Sequence, residues 1–373
     1  MCFPTLKPTL LATLFCALGA HASAEESATT VLETPAVISP EVGRDHRVTF
    51  RLVDHDASAV SLVGVTREAI ILQKGDHGMW TATVGPMRPG LYEYSFLVDG
   101  EERLDPSNPR VKPDRDLDSS LLEVSYDAPL FYQWRDVPHG TVRIHDYYSK
   151  PLQRLRSLRV YTPPGYDKHP DARYPVLYLF HGTGDTEATW TDFGRAQFII
   201  DNLIADHKAQ PMLIVMPDGH ADLREEEGIH AANFYKFEKE ILQSVIPFVD
   251  SEYRTRAEAD GRAVCGLSMG GMQSLFLGLN HTESFAWVGG MSAYIPEAET
   301  MCAPAFKDPQ LNAKLKLLWH SIGKDDYLFK EYAKFDALLE AHHIKREFRI
   351  TEGQHEWHVW RQYLADLAPL LFR

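Results

Sequence analysis

One hexapeptide constrains this chain more than any other stretch. Gly266-Leu267-Ser268-Met269-Gly270-Gly271 fits the pattern G-x-S-x-G. The apolar residues 263–266 before it read as a strand, and residues 270–280 after it read as a helix. A strand that turns at once into a helix around a serine needs flanking residues without side chains, because strand and helix come close there. The serine sits at a strained turn with its hydroxyl presented at the edge of a sheet. The hexapeptide therefore demands a sheet with a helix packed on it, and it makes Ser268 the candidate nucleophile.

The surrounding pattern supplies such a sheet. From residue 141 to 373, strands are expected near 142–147, 157–161, 174–180, 212–216, 263–266, 285–291, 315–322 and 346–351. Helical periodicity is expected over 195–207, 234–249, 270–280, 330–343 and 359–371. Alternation of this kind builds an α/β fold, a doubly wound, mostly parallel sheet covered by helices on both faces. Residues 34–125 read differently. Residues 47–53 and 91–98 alternate at period two, with short strands near 60–63, 69–72 and 80–84 between them and no helical period. This is the signature of a small all-β sandwich of about 90 residues. Tyr92, Tyr94 and Phe96 share one face of the strand 91–98, with Trp80 nearby. A small sandwich needs large apolar residues inside, so that face is expected in its core rather than as a platform for sugars. Residues 126–140, rich in proline and aromatics, form the linker. Two domains suit 373 residues at about 150 per domain.

Residues 1–24 read as a secretory signal peptide. Lys7 provides the positive region, residues 9–20 the apolar core, and Ala22-Ser23-Ala24 the small-x-small cleavage site. Its removal predicts a periplasmic or secreted protein and takes the formal charge from −14 to −15. Such an acidic chain is a poor match for nucleic acid or an anionic membrane surface. No apolar run reaches the roughly 18 residues of a spanning helix, so no membrane anchor is expected. Only Cys265 and Cys302 remain after cleavage. One bridge between them or two buried thiols are the alternatives, and the place of Cys265 in an apolar strand favours thiols.

A serine hydroxyl needs a base. In a strand–elbow–helix context the order along the chain is serine, acid, histidine. His355 meets that order in the loop between the last strand and the last helix, with His358 as its competitor. Asp326, after the preceding strand, is the candidate that orients the imidazole, with Asp325 the alternative. Two backbone donors are needed for the oxyanion. Met269 N–H, directly after the serine, is one. Thr183 N–H, in the loop His181-Gly182-Thr183-Gly184-Asp185, is the expected second. Trp190 and Trp357 flank these loops and are expected to contact substrate, whereas Trp360 is as well placed for the core. His355-Glu356-Trp357-His358 lacks the i, i+4 histidine spacing of a helical zinc site, and no phosphate-cradling glycine motif follows a strand. Neither a metal nor a cofactor is expected.

Four separated stretches match one family in order: residues 160–166 (VYTPPGY), 174–182 (YPVLYLFHG), Gly266 to Gly271, and residues 353–361. The chain from about residue 138 onward resembles the esterase D family of α/β-hydrolases, which includes feruloyl, acetyl-xylan and enterochelin esterases, formylglutathione hydrolases and mycolyl transferases. The part before it resembles the early-set immunoglobulin-like domains, related to glycogen-binding modules, that precede such esterases. The resemblance implies a serine carboxylic-ester hydrolase working through an acyl-enzyme, most similar to feruloyl or acetyl carbohydrate esterases on plant-wall polysaccharide. Its substrate is then a small-molecule or polysaccharide ester. A siderophore esterase or an acyltransferase of the same family is the alternative, and a carbohydrate-binding protein with a vestigial hydrolase domain is the non-enzymatic one. The chain departs from the family habit at Gly184-Asp185, where a more glycine-rich loop is usual.

Overall fold

A computed structural model describes residues 37–125, 128–221 and 231–373. The leader read at 1–24 lies outside the described residues, as do positions 34–36 and the first two of the linker.

The expected all-β region is present as two packed sheets. One has the order Glu41–Val42, Val48–Val53, Met79–Val84, Gln73–Lys74. The other has the order Ile70–Ile71, Val60–Val63, Gly90–Val98, Glu101–Arg103, with Ser120–Val124 also pairing Gly90–Val98. Alternation sends Tyr94, Phe96 and Val98 inward, where they meet Phe50, Leu62, Trp80 and Leu122. Trp80 keeps its indole N–H satisfied on Asp54 C=O at 3.0 Å. The aromatic face is therefore core, with Tyr92 half-buried at its margin. The opposite face of the same strand does other work. Leu91 and Leu121 belong to the apolar cluster that underlies the second sheet, together with Trp190, Phe193 and Trp357. Burying a leucine contributes about 1.5–3 kcal/mol relative to exposure. The two leucines are thus a substantial fastening between the regions.

That second sheet has eight strands, in the order Thr141–Ser149, Arg154–Thr162, Leu213–Pro217, Val176–Phe180, Arg262–Gly266, Trp287–Met291, Leu317–Gly323, Glu347–Thr351. The first two are antiparallel and the remainder run parallel, so the sheet is mixed. The central strands are buried on both faces, which explains their unbroken apolar runs. The expected long helix at 234–249 runs as Ala231–Glu240, a wider turn over Ile241–Val245, and Ile246–Glu252. Short helices at Thr189–Asp192, Ala298–Met301 and Ala303–Phe306 have too few residues to show a period and carry no sequence signal. Residues 128–140 contain no regular element but pack on this half through Tyr132, which is 2% exposed. Cys265 and Cys302 are free, buried thiols. No helix among the described residues is long and apolar enough to cross a membrane.

Strand order decides where chemistry can occur. The chain leaves Val176–Phe180, passes outward to Leu213–Pro217, and returns to the other side of Val176–Phe180 at Arg262–Gly266. At such a switch point the loops beyond two neighbouring strands diverge and open a crevice at their carboxyl ends. The loops after Phe180 and after Gly266 are the two lips of that crevice.

Candidate active site

The elbow has the strain its sequence demands. Ser268 has φ +50°, a left-handed value uncommon for a residue with a side chain. The helix Ser268–Asn280 starts on that residue. A Cβ on Gly266 would lie 2.5 Å from the carbonyl of Gly270, and one on Gly270 would lie 2.4 Å from the carbonyl oxygen of His181. Both contacts are with backbone, so no side-chain rotation relieves them. The glycines let helix, strand and opposing loop meet around one hydroxyl.

Three side chains from three loops converge there. Ser268 Oγ lies 2.9 Å from His355 Nε2. His355 Nδ1 lies 3.0 and 2.9 Å from the two oxygens of Asp326. Since a carboxylate only accepts, Nδ1 carries the proton and Nε2 is free to accept from serine. Burial pushes the Asp326 carboxyl up, yet hydrogen bonds from His355, Leu328 N–H and Ser292 outweigh it and hold the group below the usual carboxylate range. Asp325 is exposed and does not reach the ring, and His358 is exposed and lines a different cavity from Ser268. Aromatic rings fix the imidazole. Trp360 meets it edge-on at 4.9 Å, and Tyr327 lies against it at 4.5 Å. Trp360 in turn donates to Ser292 Oγ at 3.0 Å.

Met269 is the second residue of its helix, so its N–H is one of the four that no preceding helical carbonyl satisfies. Across the crevice, Gly182 N–H donates to Asp185 Oδ2 at 3.1 Å. Thr183 N–H has no acceptor among the described residues. The loop abuts the elbow, for a Cβ on Gly182 would lie 3.5 Å from the Cβ of Ser268. Both N–H groups therefore border the same space. His181 fixes the peptide between Gly182 and Thr183 from below. Its Nε2 accepts from Gly219 N–H at 2.7 Å, which leaves the proton on Nδ1 to donate to Gly182 C=O at 2.8 Å.

A cavity of about 400 Å³ opens on Ser268 and His355. Trp357 forms part of its wall. Trp190 does not, and the expectation that it contacts substrate is corrected. It is 1% exposed, donates its indole N–H to Phe180 C=O at 2.9 Å and packs edge-on against Trp357. The indole is used to satisfy a strand-end carbonyl, which places the ring beneath the crevice. Sequence reasoning missed several cavity residues, Tyr327, Glu93 and Lys112 among them. Tyr327 directly follows the acid and was open to inspection for that reason. Glu93 and Lys112 come from the all-β region, and nothing local marks them.

A family model described as putative esterase matches residues 149–371. The chain is 32% identical over 351 residues to a protein of Xylanibacter ruminicola named endo-1,4-beta-xylanase/feruloyl esterase, an alignment covering 92% of this chain and 47% of that one. The chain thus spans about half the length of the curated relative it matches. A solved ferulic acid esterase superposes with a TM-score of 0.55 at 26% identity, covering 62% of this chain and 97% of that one. The enterobactin esterase from Shigella flexneri superposes with a TM-score of 0.63 over 86% of this chain and 92% of its own, at 19% identity, a likeness of fold.

Proposed function

This chain belongs to the putative esterase family and is an esterase, and from that premise we propose a secreted serine hydrolase of the feruloyl or acetyl carbohydrate-ester type. Ser268 Oγ attacks the ester carbonyl while His355 Nε2 takes its proton, and ionised Asp326 stabilises the imidazolium that results. The carbonyl oxygen, now an anion, is held by Met269 N–H and Thr183 N–H. Collapse breaks the bond to the sugar oxygen, which takes the proton from His355 and leaves as a hydroxyl, and an acyl group remains on Ser268. Water, deprotonated by the same imidazole, then releases the acid and restores the serine.

The observation that carries the substrate class is the relative that matches 92% of the chain, the all-β region included, and bears feruloyl esterase in its name. Trp357 suits it by offering the cavity an aromatic wall for an aryl acid. The all-β region is read as an early-set immunoglobulin-like domain over 34–125, followed by a linker over 126–140 and the catalytic domain over 141–373. Residues 1–24 are read as the leader that exports the protein. A siderophore esterase is the second reading, favoured by the extent of the superposition on the enterobactin esterase. The cavity speaks against it. Among charged lining residues it sets Glu93, Asp185 and Glu356 against Lys112, a poor welcome for a triscatecholate anion.

The test is a panel of methyl ferulate, p-nitrophenyl acetate, acetylated xylan and ferric enterobactin. We expect kcat/KM to be highest on the feruloyl or acetyl carbohydrate-type esters. A preference for ferric enterobactin above about a hundredfold, equivalent to nearly 3 kcal/mol of transition-state binding, reverses the order of the two readings.

A further inference from the structure

Lys112 lies in the connection between Glu101–Arg103 and Ser120–Val124, in the all-β region, yet its ammonium reaches the crevice. Its Nζ is 3.0 Å from Glu93 Oε2, 3.0 Å from Asp114 Oδ2 and 3.5 Å from Asp185 Oδ1. Its side chain is only 12% exposed and lies over the ring of Phe193. Burial alone would push the ammonium down, but the three carboxylates hold it above the ordinary lysine range, so it stays charged. The backbone around it grips the same loop. Asp114 forms a β-bridge with Asp185, Arg115 N–H donates to Gly184 C=O at 2.8 Å, and the hydroxyls of Thr186 and Thr189 both donate to Pro113 C=O.

We propose, resting on the serine-hydrolase reading above, that Lys112 is a positioning residue for the oxyanion donor Thr183 N–H, acting through Asp185. Asp185 is 4% exposed and uses one oxygen for Lys112 and the other for Gly182 N–H. Gly182 is the residue before the donor. Its C=O, in the same peptide as Thr183 N–H, is pinned by His181, and its N–H, in the preceding peptide, by Asp185, so the residue that precedes the donor is held on both sides. Asp185 in turn shares its surroundings with Asp114 and Glu93. Remove that ammonium and the carboxyl groups of Glu93, Asp114 and Asp185 lose the cation they share, so Asp185 withdraws from Gly182 and the donor swings off the oxyanion. The cost appears in the transition state and not in ground-state binding.

Lys112→Met tests this with kcat and KM on p-nitrophenyl acetate, and with the affinity for phenylboronic acid, whose tetrahedral adduct on serine mimics the oxyanion. We expect kcat to fall about 10–100-fold, less than the roughly 10²–10³ of deleting a donor outright, with KM within about twofold. Boronate affinity should fall in the same proportion as kcat, and Lys112→Arg should restore both to within several-fold. Lys112→Met/Asp114→Asn guards against simple instability, since it relieves the carboxylate crowding. Its melting temperature should recover and its kcat only in part, because Glu93 and Asp185 still share the space without Lys112. Wild-type kcat in either variant carrying Met, or a loss borne by KM alone, overturns the proposal. Ser268→Ala is assayed alongside. Activity surviving there removes the serine-hydrolase reading itself, whereas loss there with an unaffected Lys112→Met removes only this inference.

Discussion

The two lips of the crevice are built on opposite plans. The elbow lip is six consecutive residues whose geometry follows from sterics: glycines at 266 and 270, a left-handed φ at Ser268, a helix that begins at once. The facing lip, His181 to Asp185, draws its shape from residues 112–115, which lie about seventy positions earlier and in another sheet's connection. One half of the machinery is thus specified by neighbours along the chain. The other half is specified by how two regions pack. The proposed nucleophile travels with its motif, and the groups facing it do not.

The largest effect should come from the local half. Ser268→Ala is expected to lower kcat by about 10⁴-fold or more while leaving the melting temperature near that of the parent, because residual catalysis then rests on the oxyanion donors and binding alone. Retention of a tenth of the activity would remove the elbow from the comparison altogether. Next in size, Asp326→Asn should cost about 10³–10⁴-fold in kcat by losing control of the imidazole tautomer. Asp325→Asn, one residue away and exposed, should stay within about twofold on the same assay. The reverse order would exchange their roles.

The smallest effect probes the other lip. Burial and the nearby Asp185 push the Asp114 carboxyl up, to about 7, against the pull of Lys112. Between about pH 4 and 7 the folded chain therefore holds a proton there that the unfolded chain has released. Stability from this group falls as pH rises through that window and is least above it. Asp114→Asn abolishes the titration, so its melting temperature relative to the parent should climb between pH 5 and pH 8. After allowance for partial exposure the difference is about 1 kcal/mol, or a few degrees. A pH-independent difference would show that the cluster does not carry this charge imbalance.

The same contrast explains what could be read from sequence. Gly266 to Gly271, the alternation from 141 to 373 and the order Ser268, Asp326, His355 are statements about neighbours and succession, and one chain displays both. The parallel strands were visible because burial on both faces leaves unbroken apolar runs. Trp190 was misread because proximity to a loop says nothing of which way a ring turns, and here a strand-end carbonyl took the indole N–H. Asp185 stood out as a departure from a glycine-rich loop, but its partner did not. A lone lysine between Val111 and Pro113 looks like any solvated charge until packing brings Glu93, Asp114 and Asp185 around it.

Leu91 and Leu121 sit on the outer face of one sheet and inside the apolar cluster of the other. For the ancestry of the gene this is a restriction. Recombination between residues 128 and 140 looks harmless on a map of the chain, since no strand or helix is broken there. A descendant that inherited only the downstream piece would carry an unfilled apolar hollow and an unbraced loop, and one that inherited only the upstream piece would carry two bare leucines. Where both pieces share this seam, their substitutions across it should be correlated, as they are within an ordinary protein core.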